Sequence, residues 1–157
     1  MGVGVGDVAP DFTLAGYSLG EKRNFTLSEF RGSTVVLVFY PADYSPVCTV
    51  QLNSYNDDLN QFVELGSTLL AISPQGVEQH EAFSQSQGGF GFPMLADTDK
   101  EVGELYEIIG MLGLYRRSIF VIDPEGVITY AHRAVAGVTY RPVDELVEAV
   151  RSGPRQP

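Results

Sequence analysis

The segment from Thr34 to Tyr40, which reads TVVLVFY, is the feature that most restricts how this 157-residue chain can fold. Valine, phenylalanine and tyrosine favour extended backbone, and the segment shows no alternation of apolar and polar side chains. A strand that is apolar on both faces is typical of a sheet that helices cover on both sides. We therefore predict a central strand here, which requires covering helices from the rest of the chain.

Helical and extended patterns alternate after this strand. Apolar side chains at helical spacing predict a helix over 47–65, with Gly66 as its stop. The side chains that set this spacing are Val50, Leu52, Leu59, Phe62, Val63 and Leu65. There follow a buried strand over 67–73, a polar helix over 76–88, an extended piece over 92–98 and a helix over 100–110. This β-α-β-α order predicts parallel strands joined by helices.

The last third of the chain predicts an antiparallel hairpin and a final helix. The turn Asp123-Pro124-Glu125-Gly126 separates two apolar runs within 118–134, and proline and glycine supply the torsions that a tight turn needs. A helix over 141–153 has one apolar face, formed by Val143, Leu146, Val147 and Val150. The combination predicts a thioredoxin-like α/β fold, in which helices cover both faces of a mixed central sheet. Strand-like pieces at 12–16 and 23–30 would form an N-terminal strand extension.

Length, charge and composition limit the possible functions. With 157 residues, 44% of them hydrophobic, we expect one domain over 1–157 whose tail frays from about residue 153. A net charge of −10 without any cluster of Lys or Arg argues against nucleic acid or an anionic membrane as partner. The apolar runs are far shorter than the roughly 20 residues of a membrane span, and no secretory signal pattern is present. A single cysteine forms no internal disulfide, so we expect a cytoplasmic protein.

Cys48, the only cysteine of the chain, is open to two interpretations. Unpaired cysteines are usually buried and behave as small hydrophobic residues. This one, however, closely follows the central strand and falls in the first turn of the predicted helix. Ligands of parallel sheets bind beyond the carboxyl ends of the strands, and free N–H groups at a helix N-terminus stabilise anions. The position therefore favours a reactive thiolate.

Ser45 lies three residues before Cys48, with Pro46 between them. Its hydroxyl can cap the helix or complete a turn, or it can donate and accept hydrogen bonds beside the sulfur. The order Ser-Pro-Val-Cys also stands where a thioredoxin-type oxidoreductase has two cysteines. With serine in the first position, disulfide exchange by such a pair is impossible.

Pro41, Ser45 and Cys48 form a pattern that resembles the active-site loop of the peroxiredoxins, in which Thr or Ser takes the middle position. Similar segments follow in the family's order along nearly the whole chain: GDVAPDFTL (6–14), VVLVFYP (35–41), FGFPMLAD (90–97) and RSIFVIDPEGVI (117–128). The pieces FYP and CTVQ are similar to the bacterioferritin comigratory protein branch of the family. The alkyl hydroperoxide reductase E type is a near relative of that branch.

The resemblance implies a role for each residue of the loop. Cys48 would attack a peroxide oxygen as a thiolate and become a sulfenic acid. Pro41 would keep water from the sulfur, and Ser45 would hydrogen-bond the sulfur or the peroxide. Arg117 would hold the thiolate and the peroxide oxygens with its planar donors. The backbone N–H groups of Val47 and Cys48 would complete the anion site.

The chain has no second cysteine that could reduce the sulfenic acid. Relatives in this branch carry one five residues after the first or in the following helix, where this chain has Asn53 and Ser84. The resemblance therefore implies a one-cysteine peroxidase that an external thiol reduces, such as a thioredoxin, a glutaredoxin or a low-molecular-weight thiol. It leaves open whether the protein is a monomer or a homodimer, and whether Ser84 replaces a resolving cysteine.

The other polar candidates are interpreted as parts of the scaffold. Arg116 should point away from Arg117 and be solvated, since neighbouring strand residues face opposite sides. His80 and His132 lie far from Cys48 in the sequence and are interpreted as surface or hydrogen-bonded histidines. Since no paired ligand spacing is present, we expect neither a metal nor another cofactor.

The function predicted from these features is reduction of hydrogen peroxide and small organic hydroperoxides. Two alternatives stay open. A redox sensor would pass oxidised Cys48 to a partner protein as a mixed disulfide, whereas an interaction module would carry an inert cysteine. A glutathione peroxidase is disfavoured, because that family places tryptophan in its active site and this chain has none.

Overall fold

A computed structural model of the protein describes residues 3–134 and 140–152. The strands in these residues are β1 (Thr13–Ser18), β2 (Glu21–Thr26), β3 (Thr34–Phe39), β4 (Ser67–Ser73), β5 (Met94–Ala96), β6 (Ser118–Ile122) and β7 (Ile128–Arg133). The helices are α1 (Pro46–Asp57), α2 (Leu59–Glu64), α3 (Val77–Ser86), α4 (Glu101–Leu105) and α5 (Val143–Ser152). None of the helices in the described residues has the length and apolar character needed to cross a bilayer. The strands form one sheet in the order β2-β1-β5-β4-β3-β6-β7.

Strand β3 lies inside this sheet and is covered on both faces, as its sequence predicts. It pairs in parallel with β4 and antiparallel with β6. Val36 and Val38 enter the hydrophobic core on one face of the sheet. Val35, Leu37 and Phe39 enter the core on the opposite face. All five side chains expose at most 2% of their surface, so the strand separates two hydrophobic cores.

Helices close both cores, which confirms the thioredoxin-like α/β class. Leu52 of α1, Phe83 of α3 and Leu146 of α5 pack in the core that contains Val36, which we name the α1 core. Val102 of α4 packs in the other, the α4 core. The apolar face predicted for the last helix is buried in the α1 core as expected; the predicted frayed tail lies outside the described residues.

Two hairpins complete the sheet at its edges. Strands β1 and β2 pair antiparallel and join the sheet through β5, where Gly16 lies opposite Leu95. This pair is the N-terminal extension that the sequence predicts, except that the second piece leaves the extended conformation after Thr26 and forms a 3₁₀ turn over Leu27–Phe30. At the other edge, the Asp123 carboxylate accepts hydrogen bonds from the N–H groups of Glu125 and Val127. Gly126 has a φ of 93°, so it supplies the torsion expected of it in this turn.

The single helix predicted over 47–65 is divided at Asp58, which corrects that prediction. Asp58 has φ −108° and ψ 22° and ends α1. Three consecutive residues with short polar side chains, Asn56, Asp57 and Asp58, stand at this point. Such side chains can bond to nearby backbone groups, which weakens the helix. Val50 and Val63, two of the apolar residues whose spacing predicted the helix, are 57% and 61% exposed, so they do not belong to its buried face.

The helix predicted over 100–110 is also shorter in the structure, where α4 ends at Leu105. Glu107 has a φ of 59°, in the left-handed region, which a continuous helix does not contain. The chain turns away at this point, and both Tyr106 and Ile108 become fully buried in the α4 core.

Gly16 is the position in β1 where we expect no side chain to be tolerated. An added Cβ would lie 2.6 Å from Leu95 Cδ2 and 2.9 Å from both the Met94 carbonyl oxygen and Phe25 Cδ1. We expect Gly16→Ala to lower the free energy of unfolding by about 1–3 kcal/mol, because these neighbours must move apart. Urea denaturation measures the change. Gly4→Ala, whose Cβ would meet nothing within 4 Å, is the control; equal effects at both positions would contradict the prediction.

Candidate active site

The candidate site lies at the end of β3. Six residues, 40–45, connect β3 to α1, and we name this segment the Cys48 loop. Cys48 itself is the third residue of α1 and exposes none of its surface. The loop leaves the sheet at the carboxyl ends of the parallel strands, where such sheets bind ligands.

The first turn of α1 presents free backbone N–H groups. Pro46 occupies the first helical position, where its fixed φ suits the helix and its missing N–H is not needed. The N–H of Thr49 bonds to the Ser45 carbonyl oxygen at 2.8 Å. The N–H groups of Val47 and Cys48 precede that bond and so stand outside the helical ladder. The Ser45 hydroxyl makes no capping hydrogen bond, so the interpretation of Ser45 as a side-chain cap is wrong.

Arg117 reaches Cys48 from the residue before β6. Its Nη1 donates to Cys48 Sγ at 3.2 Å and to Gln51 Oε1 at 2.6 Å. The antiparallel pairing of β6 with β3, in which Ser118 lies opposite Phe39, brings this arginine to the start of the loop. Arg117 is buried, with only 3% of its surface exposed. A buried cation that donates to sulfur stabilises the charged thiolate.

Gln51 and Tyr55 extend this contact along α1. Gln51 Nε2 donates to Tyr55 Oη at 3.2 Å, and the Tyr55 hydroxyl donates to the Arg141 carbonyl oxygen at 2.7 Å. Burial raises the pKa of Tyr55 well above its usual value, so the phenol stays neutral and remains a donor. The sequence interpretation gave Gln51 no role. Its role could have been predicted from its spacing, because residues three apart in a helix lie on one face and Gln51 follows Cys48 by three.

Pro41 and Ser45 both lie in the Cys48 loop, one near its beginning and one at its end. Pro41 is the second residue of the Cys48 loop and Ser45 is its last, and both are half-buried. Since the Ser45 hydroxyl is not used by the helix, it is available to another partner. The catalytic roles that the resemblance implies for these two residues stay predictions.

The remaining candidates belong to the scaffold, with one correction. Arg116 is half-buried rather than solvated, and it donates to the carbonyl oxygens of Ala134 and Arg133 at 2.9 and 3.2 Å. His80 is fully buried with both ring nitrogens hydrogen-bonded, and His132 is half-buried. Within 3–134 and 140–152, His, Cys, Asp and Glu side chains form no group of three or more that could hold a metal ion.

Asn53 and Ser84, to which the resemblance assigns the place of a resolving cysteine, both make hydrogen bonds here. Asn53 Nδ2 donates to the Thr49 carbonyl oxygen and to Gln87 Oε1, both at 2.9 Å. Ser84 Oγ accepts from the Phe90 N–H at 3.1 Å and is buried. A thiol is a much weaker acceptor, so the serine hydroxyl has a structural role of its own after α3.

Known proteins similar to this chain point to one family. The model of the AhpC/TSA family matches residues 5–131. The selenocysteine-containing peroxiredoxin PrxU of Peptoclostridium acidaminophilum is 38% identical over 133 residues, which are 80% of this chain and 66% of that protein. Peroxiredoxin 2 of Thermoplasma acidophilum is 34% identical over 154 residues, 94% of this chain and 75% of that one. The chain thus spans about two thirds to three quarters of the length of these two relatives.

Solved structures show the same similarity. AhpC of Enterococcus faecalis superposes with a TM-score of 0.89 at 25% identity, covering 97% of this chain and 92% of that one. The mitochondrial 2-Cys peroxiredoxin of Plasmodium falciparum gives a TM-score of 0.86 at 27% identity, covering 94% and 92%. The similarity therefore extends over nearly the whole fold.

Gln51 should be needed for stability as well as for the site. We expect Gln51→Leu to lower the free energy of unfolding by about 1–3 kcal/mol, because it removes a buried acceptor from Arg117 and a buried donor from Tyr55. Urea denaturation provides the measurement. The same substitution at Gln79, an exposed residue of α3, is the matched control. A loss no larger than that of Gln79→Leu would contradict the prediction.

Proposed function

The chain belongs to the AhpC/TSA family and is a peroxiredoxin, and we propose that it reduces hydrogen peroxide and small organic hydroperoxides with Cys48 as the attacking thiolate. The observation that supports this most directly is the contact of 3.2 Å between Arg117 Nη1 and Cys48 Sγ. An inert cysteine of the core would gain nothing from a buried guanidinium, whereas a thiolate nucleophile needs one.

The first step forms a bond between sulfur and oxygen and breaks the bond between the two peroxide oxygens. The thiolate attacks one peroxide oxygen in line with the O–O bond. The electron pair of that bond leaves with the second oxygen, which takes up a proton and departs as water or an alcohol. The sulfur is oxidised to sulfenic acid, and the peroxide is reduced.

The proposed roles of the surrounding groups follow the movement of negative charge from sulfur to the departing oxygen. Arg117 and the N–H groups of Val47 and Cys48 are donors held in place before the reaction, so stabilising that charge requires little rearrangement. Pro41 would exclude water from the sulfur. The Ser45 hydroxyl would donate to the peroxide or to the sulfur.

Access to the thiol requires movement of its surroundings. Because Cys48 exposes none of its surface, a peroxide reaches Sγ only when the neighbouring residues open locally. A small substrate needs a small opening. This restriction agrees with hydrogen peroxide and small organic hydroperoxides as substrates.

The sulfenic acid would be reduced by a thiol from another molecule. A first external thiol displaces water and forms a mixed disulfide with Cys48, and a second thiol releases the reduced cysteine. We propose a thioredoxin, a glutaredoxin or a low-molecular-weight thiol in this role, with the cytoplasm as the compartment. Assignment to the bacterioferritin comigratory protein branch rests on FYP and CTVQ and stays a prediction.

Replacing Arg117 tests its proposed role in the peroxide step. We expect Arg117→Lys to slow the oxidation of Cys48 by hydrogen peroxide about a hundredfold, because it removes the planar set of fixed donors. Stopped-flow competition kinetics measure the rate constant. Arg116→Lys is the matched control and should leave it nearly unchanged. If the unaltered protein consumes peroxide no faster than free cysteine does, the proposed function is wrong.

The reduction of the sulfenic acid separates a peroxidase from a redox sensor. After oxidation with hydrogen peroxide, we expect excess glutathione to give a transient mixed disulfide at Cys48 and then the free thiol, seen as successive mass changes. Cys48→Ser should form no adduct. A stable adduct with a partner protein, without turnover on a generic thiol, would instead favour the sensor.

A further inference from the structure

A buried hydrogen-bond network joins the Cys48 loop to α3 and β5. The Tyr40 hydroxyl donates to Asp43 Oδ1 at 2.6 Å, and His80 Nδ1 lies 2.7 Å from Asp43 Oδ2. On the other side of the ring, His80 Nε2 lies 2.9 Å from the Leu95 carbonyl oxygen. Tyr40 and His80 expose none of their surface, and Asp43 exposes 5%. The peroxide step described above uses none of these side chains.

The hydrogen-bond partners of His80 fix where its protons lie. The Leu95 carbonyl oxygen can only accept, so Nε2 carries a hydrogen atom. Nδ1 and Asp43 Oδ2 lie 2.7 Å apart, and neither side chain exposes any of its surface. Breaking this contact would leave buried polar atoms without partners. His80 therefore links Asp43 to β5 from both sides of one rigid ring.

Asp43 is also held through its backbone. Its N–H donates to Gln75 Oε1 at 2.9 Å, and the same oxygen accepts from Ser73 Oγ at 2.8 Å. The next residue, Tyr44, has a φ of 67°, which is unfavourable for a bulky side chain and persists only where the surroundings impose it. The hydrogen bonds that hold Asp43 impose this φ on Tyr44. The loop thus adopts a strained conformation immediately beside its strongest attachment.

We propose that Tyr40, Asp43 and His80 form a clamp that holds the Cys48 loop in its closed conformation, with Asp43 and His80 as positioning residues. The loop leads directly into Pro46 and the first turn of α1, so its conformation sets where the free N–H groups and the thiol lie. Without the clamp, the strain at Tyr44 favours release of the loop. Cys48 is then exposed more often while the sheet stays folded.

Alkylation of the native protein with iodoacetamide measures this release. Cys48 is the only thiol and has no exposed surface, so its labelling rate, relative to that of the urea-unfolded chain, reports how often the loop opens. This measurement does not depend on peroxidase activity. The rate constant for peroxide is a second readout that rests on the proposed function, so failure of that function and failure of the clamp are distinguishable.

Two substitutions of His80 separate its two hydrogen bonds. The amide of His80→Asn places a donor at the position of Nδ1, toward Asp43, whereas that of His80→Gln places one at the position of Nε2, toward Leu95. We expect His80→Gln to raise the alkylation rate about tenfold or more. It should nevertheless slow the reaction with peroxide, because a released loop no longer holds the sulfur beside Arg117 and the free N–H groups that stabilise the departing oxygen. His80→Asn should stay within about threefold of the unaltered protein, since it keeps the bond to the loop.

Ser67→Ala is the control for a general loss of stability. Ser67 Oγ donates to the Phe62 carbonyl oxygen at 2.7 Å in the buried beginning of β4, at the opposite end of the strand from the loop. The variant should leave the alkylation rate nearly unchanged.

The clamp is overturned if His80→Gln labels at the unaltered rate, if both histidine variants label equally fast, or if Ser67→Ala accelerates labelling as much. Should neither histidine variant fold, Tyr40→Phe, which removes one hydroxyl, must raise the rate several-fold; an unchanged rate overturns the proposal.

Discussion

The antiparallel pairing of β6 with β3 is the interaction on which the candidate site depends. It places Ser118 opposite Phe39, and so brings Arg117 to the point where β3 gives way to the Cys48 loop. The two residues in contact, Arg117 and Cys48, are 69 positions apart in the chain. A register shift of one residue would turn the arginine to the opposite face of the sheet. Because β3 and β6 are apolar on both faces, their hydrophobic pattern alone does not set this register. The close packing of particular side chains in the two cores has to select it.

Two buried polar networks meet at the segment between Tyr40 and Cys48. The network of Arg117, Gln51 and Tyr55 provides positive charge at the sulfur. The network of Tyr40, Asp43 and His80 attaches the loop to α3 and β5. Polar groups in a low-dielectric interior are costly unless every partner is in place, so such networks favour one conformation. The first network determines the charge beside the thiol, and the second determines where the thiol lies.

The contacts around Cys48 suit the proposed peroxide step, and the sequence contains no second cysteine. Asn53 and Ser84, to which the resemblance assigns the place of a resolving cysteine, are both used in hydrogen bonds. Asn53 joins α1 to the end of α3 through Gln87, and Ser84 fixes the turn that follows α3. The proposed function therefore assigns the reduction of the sulfenic acid to an external thiol.

The sequence by itself determined the fold class and the position of the reactive loop. The apolar patterns predicted which faces of β3 and α5 are buried. The loop was found from the spacing of Pro41, Ser45 and Cys48, which are close together in the chain. Only the tertiary structure decided which groups meet that loop. It joined Gln51 to Arg117 and His80 to Asp43 and buried Arg116 in part. It also ended α1 at Asp57 and α4 at Leu105. The physical reason is that local spacing fixes the apolar faces, whereas the partner of a buried polar group depends on which strands pair and in what register.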